Sequence, residues 1–206
     1  MEDVLDVYQR PYHPDFPVIC MDEQPIQLIK ETRTPLPCAP GQPLRYDYEY
    51  DRNGTANHFI FCEPLRGWRR VSVRERKTSR DWAMEIKHLL DVDYPNAIKI
   101  VLVMDNLNTH KIASLYETFG PEEAQRLAKR LEIHYTPKHG SWLNIAEIEL
   151  AAMTKQALKN RIPDLETLQS HIAAWNADKN ASGKPVNWQF TTDNARTKLK
   201  RLYPQI

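Results

Sequence analysis

The stretch AIKIVLVMD, residues 97–105, decides the fold. It is the longest apolar run in the chain and it ends in Asp105, a pattern typical of a central strand buried on both faces. A second apolar run, VICMD at residues 18–22, also ends in Met-Asp. In an open α/β sheet, active groups gather where neighbouring strands end at a crevice. We therefore expect Asp22 and Asp105 to lie close together.

The segments around these two runs predict a mixed sheet flanked by helices. Three stretches separated by turn signals indicate an antiparallel meander: RYDYEY (45–50), NHFIFCE (57–63) and GWRRVSVRE (67–75). A short strand is expected at EIHYT (132–136). Helical spacing follows in 79–92, 111–119, 121–131, 141–153, 164–178 and 191–203. Strands that first form hairpins and then alternate with helices favour an α/β layer structure.

Composition limits the classes of function. The chain has 206 residues, with 28 basic and 27 acidic side chains, which excludes a strongly basic nucleic-acid coat and leaves only local patches for phosphate. The three cysteines, Cys20, Cys38 and Cys62, form no CxxC pair and favour a reducing compartment. Neither a signal peptide nor a membrane span is recognisable, which predicts a cytoplasmic protein without a membrane partner.

A third acidic residue is expected on the helix within SWLNIAEIELAAM, residues 141–153. Counted at 100° per residue from Leu143, Glu147 falls on the apolar side of that helix, and Glu149 falls on the opposite side. A carboxylate that faces a core is costly unless a positive group meets it. Glu147 is therefore the expected companion of Asp22 and Asp105.

Three converging carboxylates predict a metal site. Two like charges about 4 Å apart repel by roughly 4 kcal/mol at an effective dielectric of about 20, and a divalent cation removes this repulsion. Oxygen ligands favour Mg²⁺ or Mn²⁺, and two such ions per site suit hydrolysis of a phosphodiester. The alternatives are that either aspartate serves only as a turn or capping residue, and that Glu147 forms a structural ion pair with Lys111 or Arg130.

Several motifs carry a resemblance to a known family. VICMDEQP (18–25), IVLVMDNLNTH (100–110) and YTPKHGSWLNIAEIEL (135–150) resemble the three catalytic blocks of the DDE transposases, in the bacterial insertion-sequence branch of the mariner superfamily. RYDYEYDRNGTAN and VNWQFTTDNARTKLKRLYP extend the resemblance to residues 17–204. It implies a ribonuclease-H-like fold with Asp22, Asp105 and Glu147 as the catalytic and metal-binding triad. The Leu143–Asn144 pair selects Glu147 over Glu149.

The resemblance also implies partners and a reaction. The substrate would be double-stranded DNA, at the element ends and at a TA target, and the working unit would be a homodimer with a separate N-terminal helix-turn-helix portion. The chain would be nucleoid-associated and would divide into a linker remnant (1–16), the ribonuclease-H-like catalytic domain (17–162) and a C-terminal helical extension packed on the same domain (163–206). The alternatives are a headless fragment that binds DNA or regulates a full-length copy, and a related nuclease.

Polar residues near the triad are candidates for support. Asn106, Asn108, His110 and Asn144 could orient the metal ligands as a second shell. The alternative for DNLNTH (105–110) is an ordinary strand-to-helix turn, and Asn144 could simply cap its helix.

Basic residues in three places are candidate DNA contacts. Lys138 and His139 precede the helix of Glu147, where a solvated loop is the alternative. Arg70, Arg74 and Arg76 share one face of a predicted strand, which could either follow a DNA backbone or protect an exposed sheet edge. Lys198, Lys200 and Arg201 could contact DNA or a second protomer, or form a solvated helix face. Trp142, Trp175 and Trp188 are expected in the core.

Overall fold

A computed structural model describes residues 1–203 and contains one five-stranded mixed sheet. The strands, in the order β3-β2-β1-β4-β5 across the sheet, are β1 (Val18–Glu31), β2 (Tyr50–Glu63), β3 (Trp68–Arg74), β4 (Ile100–Met104) and β5 (Leu131–Tyr135). The β1–β2 and β2–β3 pairs are antiparallel, whereas β1–β4 and β4–β5 are parallel. The predicted combination of an antiparallel meander with parallel strands is confirmed.

Helices cover both faces of this sheet. They are α1 (Glu2–Tyr8), α2 (Ser79–His88), α3 (Ile112–Thr118), α4 (Pro121–Lys129), α5 (Ile145–Ala157), α6 (Leu165–Ser182) and α7 (Thr192–Lys198). A π-helical turn at Leu89–Asp93 and two 3-10 turns at Ser141–Leu143 and Lys200–Leu202 complete the elements. None of the helices within residues 1–203 has the length and apolar composition that a membrane span requires.

Alternation along the central strands divides the core into two layers. Ile19 and Met21 of β1 pack with α2, α3 and α4 on one face, whereas Cys20 packs on the other face with α1, α5 and α6. All five residues of β4 are buried. Because β4 is covered on both faces, its sequence is a continuous apolar run rather than an alternating one.

The first hairpin is longer than the sequence predicts. β1 and β2 each have 14 residues, and the pairing continues through Tyr50–Glu31 with a register shift between Gln27 and Ile29. The stretch DRNG therefore lies inside β2 and not between two strands. Of RYDYEY, only the last residue, Tyr50, belongs to a strand. Gly54 within DRNG has φ of 87°, which only glycine adopts easily, so this turn signal marks a local distortion of a continuing strand.

The N-terminal segment belongs to the core. Val4, Leu5 and Val7 of α1 are almost completely buried, and this corrects the expectation of a linker remnant over residues 1–16. The reason is the spacing of these apolar residues, which form one helix face that packs under the sheet. In the C-terminal part, α6 packs against β3 and α5, and α7 contacts α1. The last three residues of the predicted extension, 204–206, lie outside the described part of the chain.

Candidate active site

The two predicted aspartates lie at matching levels on adjacent parallel strands. Cys20 of β1 pairs with Val103 of β4, so Asp22 and Asp105, each two residues further along, lie side by side at the carboxyl end of β4. The pKa of Asp22 is raised to about 7, mainly by burial and in smaller part by the negative charges of Asp105, Glu23 and Glu147. A hydrogen bond from the Glu23 backbone N–H to Asp22 Oδ1 (2.8 Å) opposes them. Four carboxylates therefore share one electrostatic environment.

The two glutamates of α5 have different environments. Glu149 is buried, and both of its carboxylate oxygens accept hydrogen bonds of 2.7 Å from the guanidinium of Arg69 on β3. Glu147 is half-buried, and within residues 1–203 its side chain has no ion pair or hydrogen bond. Neither Lys111 nor Arg130 contacts it, because Lys111 donates to Asn108 and Arg130 donates to backbone carbonyls, including that of Tyr94. The alternative of a structural ion pair is thus realised by Glu149 and not by Glu147.

Glu149 does not lie on a solvent-facing side of α5, contrary to the position that its spacing from Leu143 predicts. Leu143, from which the angles were counted, lies in the 3-10 turn before α5, so it does not belong to the same helical period. Measured from Ala146, Leu150 and Met153 at the 100° per residue of an α-helix, the glutamates flank the apolar stripe on opposite sides, Glu147 at about 90° and Glu149 at about 70° from its centre. The period alone could not separate them. The Leu-Asn spacing, which comes from the family resemblance, is what selects Glu147.

Asn144 fixes α5 against the strand of Asp22. This buried side chain donates through Nδ2 to the Met21 carbonyl (2.8 Å), and its Oδ1 caps the helix by accepting from the Ala146 backbone N–H (3.2 Å). The capping alternative is therefore correct for Asn144, and the same residue also sets the distance between Glu147 and β1. The side-chain amide of Asn144, at the start of α5, thus helps to position Glu147 one turn further along the helix.

His110 forms a clamp between two acidic residues, one of which the sequence did not single out. Its Nδ1 lies 2.6 Å from Asp105 Oδ1, and its Nε2 lies 3.0 Å from Glu23 Oε2. The imidazole is buried and stacks against Trp82 at 6.0 Å. Burial alone would lower the pKa of His110, but the carboxylates of Asp105 and Glu23 raise it to about 9. The charges of Asp105 and Glu23 thus favour the protonated form of the imidazole that lies between them.

Glu23 could have been found from strand alternation. It follows Asp22 directly, so its side chain points to the opposite face of β1, the face that His110 approaches. Within residues 1–203, Glu23, Asp105 and His110 are the set whose ligand atoms, all within 4.8 Å of one another, are close enough to share one metal ion. Asp22 and Glu147 are outside that set. We interpret the set as an imidazolium between two carboxylates, since each ring nitrogen faces a different acid.

The charge balance of the cluster fits a divalent cation. Four carboxylates lie close enough to influence one another at the end of β4: Asp22, Glu23, Asp105 and Glu147. In the part of the chain that the structure describes, their ion pairs come from His110 and from Lys77, which lies 3.8 Å from Glu23. Asp22 and Glu147 are left without a cationic partner there, and their donor atoms are carboxylate oxygens, which Mg²⁺ and Mn²⁺ prefer. Asp22, Asp105 and Glu147 are the residues that could hold such ions.

The other two predicted support residues lie at the surface. Asn106 and Asn108 are exposed in the turn after β4, and Asn108 Oδ1 accepts a hydrogen bond from Lys111 Nζ (3.2 Å). No contact joins either asparagine to a carboxylate of the cluster among residues 1–203. The ordinary-turn alternative describes these two residues, whereas His110 from the same motif enters the core.

The basic face of β3 is covered by α2. Arg70 pairs with Glu85 and Asp93, and Arg74 pairs with Glu85 and Asp81. Burial raises the pKa of Glu85, but the two arginines outweigh burial and hold that pKa below its usual value. The charges of Arg70 and Arg74 are thus neutralised inside the fold, which argues against the predicted DNA contact.

The remaining basic candidates are exposed. They are Arg76, Lys138, His139, Lys198, Lys200 and Arg201. Trp175 is 6% exposed and belongs to the core, and Trp188 is half-buried. Trp142 is 44% exposed, which corrects the expectation that it packs in the core. The basic and aromatic groups available to a ligand thus include a stretch just before α5.

Comparison with known proteins agrees with this geometry. Residues 17–169 match the family described as DDE superfamily endonuclease. Among solved structures, the Mos1 strand transfer complex has a TM-score of 0.58 at 15% identity, over 84% of this chain and 50% of that chain. The Mos1 transposase paired-end complex with the left transposon end has 0.56 at 15% identity (84% and 51%), and the Mos1 mariner paired-end complex with Mn has 0.54 at 16% identity (84% and 52%).

These matches define the fold and its extent. At such identities the structural likeness shows the fold alone, which is ribonuclease-H-like. The chain spans about half the length of the Mos1 chains that it matches. No curated protein sequence matches it.

Proposed function

The chain belongs to the DDE superfamily of endonucleases, and from that membership we propose that it is the catalytic domain of a DNA transposase. The domain would hydrolyse a phosphodiester at each end of a mobile element and leave a 3′-hydroxyl there. The same site would then let that hydroxyl attack target DNA, so that a new phosphodiester forms as a target bond breaks. The observation that carries this proposal is the position of Asp22 on β1 beside Asp105, which directly follows β4, with Glu147 near enough for its charge to act on Asp22.

Asp22, Asp105 and Glu147 would hold Mg²⁺ or Mn²⁺, two ions per site. Bound there, the metal would supply a polarised water and compensate the charge on the leaving oxygen. The protein's own contribution is geometric. His110 and Glu23 hold Asp105, and Asn144 holds the start of α5 at the strand of Asp22. These contacts fix the carboxylates before substrate arrives, which reduces the reorganisation that the reaction requires.

The proposal extends to partners. The substrate would be double-stranded DNA, comprising element ends and a target, with TA as the target dinucleotide. The working form would be a homodimer in the cytoplasm, associated with the nucleoid, and a separate N-terminal helix-turn-helix portion would find the element ends. The Mos1 structures that share the fold include a strand transfer complex and paired-end complexes, which supports a DNA substrate here.

Nicking of a supercoiled plasmid with Mn²⁺ tests the catalytic assignment. Glu147→Gln keeps the size of the side chain and removes its charge, so we expect nicking to be lost. Glu166→Gln, at an exposed position on α6, is the matched control and should nick like the wild type. Glu149→Gln should retain most nicking per folded molecule at low temperature. Equal losses in the 147 and 149 variants, with the 166 variant unchanged, would show that the wrong acid was chosen.

A joining assay separates the transposase from the alternatives. A labelled oligonucleotide with a free 3′-hydroxyl is incubated with plasmid, and covalent transfer of the label is measured. Transfer supports the transposase. Nicking without transfer indicates a nuclease of the same fold, and metal-independent DNA binding without nicking indicates a regulatory fragment.

A further inference from the structure

The loop between β5 and α5, residues 136–143, is fixed at both ends beside the two aspartates. At its start, the Thr136 backbone N–H donates to the Met104 carbonyl (2.9 Å), and Met104 directly precedes Asp105. At its end, Asn144 Nδ2 donates to the Met21 carbonyl (2.8 Å), and Met21 directly precedes Asp22. The loop therefore spans the mouth of the candidate site.

Trp142 is the large apolar side chain that this loop exposes. It is 44% exposed, although the next residue, Leu143, is completely buried and anchors the loop. The ring contact that the structure describes for Trp142 is an edge-on contact with Phe190, with ring centroids 5.9 Å apart and an interplanar angle of 72°. An edge contact steadies the indole and leaves a flat face available. Because indole rings are highly buried on average, such exposure at a fixed position requires an explanation.

The neighbours of Trp142 indicate the class of ligand. Lys138, His139 and Ser141 in the same loop are exposed, and Lys198 lies over the Phe190 ring at 6.0 Å. Basic and hydroxyl groups in the same loop as an exposed aromatic ring suit a strand of nucleic acid, whose phosphates can contact the basic groups while a base stacks on the ring. In paired duplex DNA both faces of a base are already covered, so the ring can accept only a base that has left the stack.

We propose that Trp142 is a stacking platform for one unstacked nucleobase of the DNA held at the site, which rests on the proposed function. Phe190 supports the indole from its edge, and Lys138 and His139 contact the adjoining backbone. Holding a base out of the stack beside Asp22 and Asp105 would expose the neighbouring phosphodiester to the carboxylates.

The test compares oligonucleotides of equal length, single-stranded and fully paired, with the folded protein in EDTA. Trp142→Ala should weaken single-strand binding about ten-fold, in line with alanine substitutions at other base-stacking aromatics, and should leave duplex binding nearly unchanged. Trp142→Phe should retain most of the affinity. Tyr48→Ala, at an 84% exposed aromatic on the distant β1–β2 hairpin, is the control and should bind like the wild type. Unchanged single-strand binding in Trp142→Ala, or equal loss on both oligonucleotides, would overturn the proposal.

Tryptophan fluorescence gives a second readout that does not depend on the alanine variant folding. The chain has five tryptophans, and stacking on a base should quench the emission of Trp142. Single-stranded DNA should therefore quench the wild type more strongly than Trp142→Phe. Equal quenching in both proteins would contradict stacking. Since neither experiment uses metal, normal nicking in Glu147→Gln would sink only the proposed function, whereas unchanged binding in Trp142→Ala would sink only the stacking platform.

Discussion

Two glutamates of α5, two positions apart, differ in whether a cation reaches them. Glu149 has the guanidinium of Arg69 in a bidentate pair, and both side chains are 7% exposed. Glu147 adds its charge to those of Asp22 and Asp105. The two carboxylates of this helix therefore have opposite consequences. Glu149, which is neutralised, contributes to the fold, whereas Glu147, which is not, makes the site beside Asp22 and Asp105 attractive to a divalent cation.

Substitution should separate these two contributions. Glu149→Gln leaves the guanidinium of Arg69 buried without a counter-charge, so we expect a loss of about 3–5 kcal/mol in the free energy of unfolding. Glu147→Gln removes a repulsive charge and should leave that free energy unchanged or slightly higher. Urea unfolding of both variants measures the difference. Equal stability of the two variants would contradict the role of the buried pair.

His58 of β2 predicts a dependence of stability on pH. It is buried, and both ring nitrogens lack a hydrogen-bond partner among residues 1–203. Burial lowers the pKa of His58 to about 4, below the usual 6.5. The unfolded chain therefore takes up a proton at a higher pH than the folded protein does. The free energy of unfolding is unaffected by this difference above pH 6.5, and it decreases as the pH falls from about 6.5 to 4. The shift corresponds to on the order of 3 kcal/mol.

The variant His58→Leu isolates this contribution. Wild type and variant are unfolded with urea at pH 7, 6, 5 and 4, and the difference between their free energies of unfolding is plotted against pH. We expect the variant to gain on the wild type steadily as the pH falls below 6.5. A constant difference would show that His58 is protonated as easily in the folded protein as in the unfolded chain.

Some residues of the site follow a pattern that is visible in the sequence, whereas others are in the site only because of how the chain folds. Asp22 and Asp105 end apolar runs, and that pattern is visible without a structure. The clamp of His110 and Glu23 is not visible, because it depends on which face of β1 the turn after β4 returns to. Likewise, Arg70 and Arg74 look available in the sequence, and only the position of α2 shows that Glu85 neutralises them.

Among the elements, the β2–β3 turn packs tightly against the end of α6. Gly67 in this turn has φ of 70°, and a Cβ placed there would lie 2.6 Å from the Gly183 carbonyl oxygen. The Arg69 guanidinium also donates to the Gly67 carbonyl, so the turn carries the arginine that pairs with Glu149. Close backbone contact at this point joins the sheet to the C-terminal helices.

Gly67→Ala should therefore be strongly destabilising. A left-handed alanine costs about 1–2 kcal/mol, and the contact with backbone adds about 1–3 kcal/mol of overpacking. Gly54→Ala is the matched control, because its φ is also positive (87°) but nothing lies within 4 Å of the added Cβ. Urea midpoints should be lower for the 67 variant than for the 54 variant. The same midpoint in both would contradict the packing.

Element prediction succeeded where the apolar pattern fitted a single kind of element. β4 was predicted because burial on both faces leaves an unbroken apolar run. β2 was divided wrongly, since Gly54 signals a turn in sequence while the strand continues through it with the support of its 14-residue partner. Pairing of β2 with β1 outweighed the local turn preference of DRNG. This stabilisation comes from a distant part of the chain and cannot be judged from the local sequence.

For the whole molecule, α1 decides where the domain begins. If residues 1–16 were a linker, substitutions in α1 would have no effect on stability. Because Leu5 is completely buried beneath the sheet, we expect Leu5→Ala to lower the free energy of unfolding by about 2–5 kcal/mol. Gln9→Ala, at an exposed position just after α1, should change it little. Urea unfolding of both variants measures the difference. An unchanged free energy of unfolding in Leu5→Ala would support the linker interpretation of residues 1–16.

The first and last helices of the domain also hold each other. Arg196 of α7 donates two hydrogen bonds of 2.8 Å to Glu2 of α1, and Thr192 donates to Asp6 at 2.7 Å. α1 and α7 thus lie together on one side of the molecule, where a short peptide from the end of α7 to the start of α1 would close residues 2–198 into a ring. New ends could then be opened at exposed Gly41, and a circularly permuted chain would keep Asp22, Asp105 and Glu147 on their original elements.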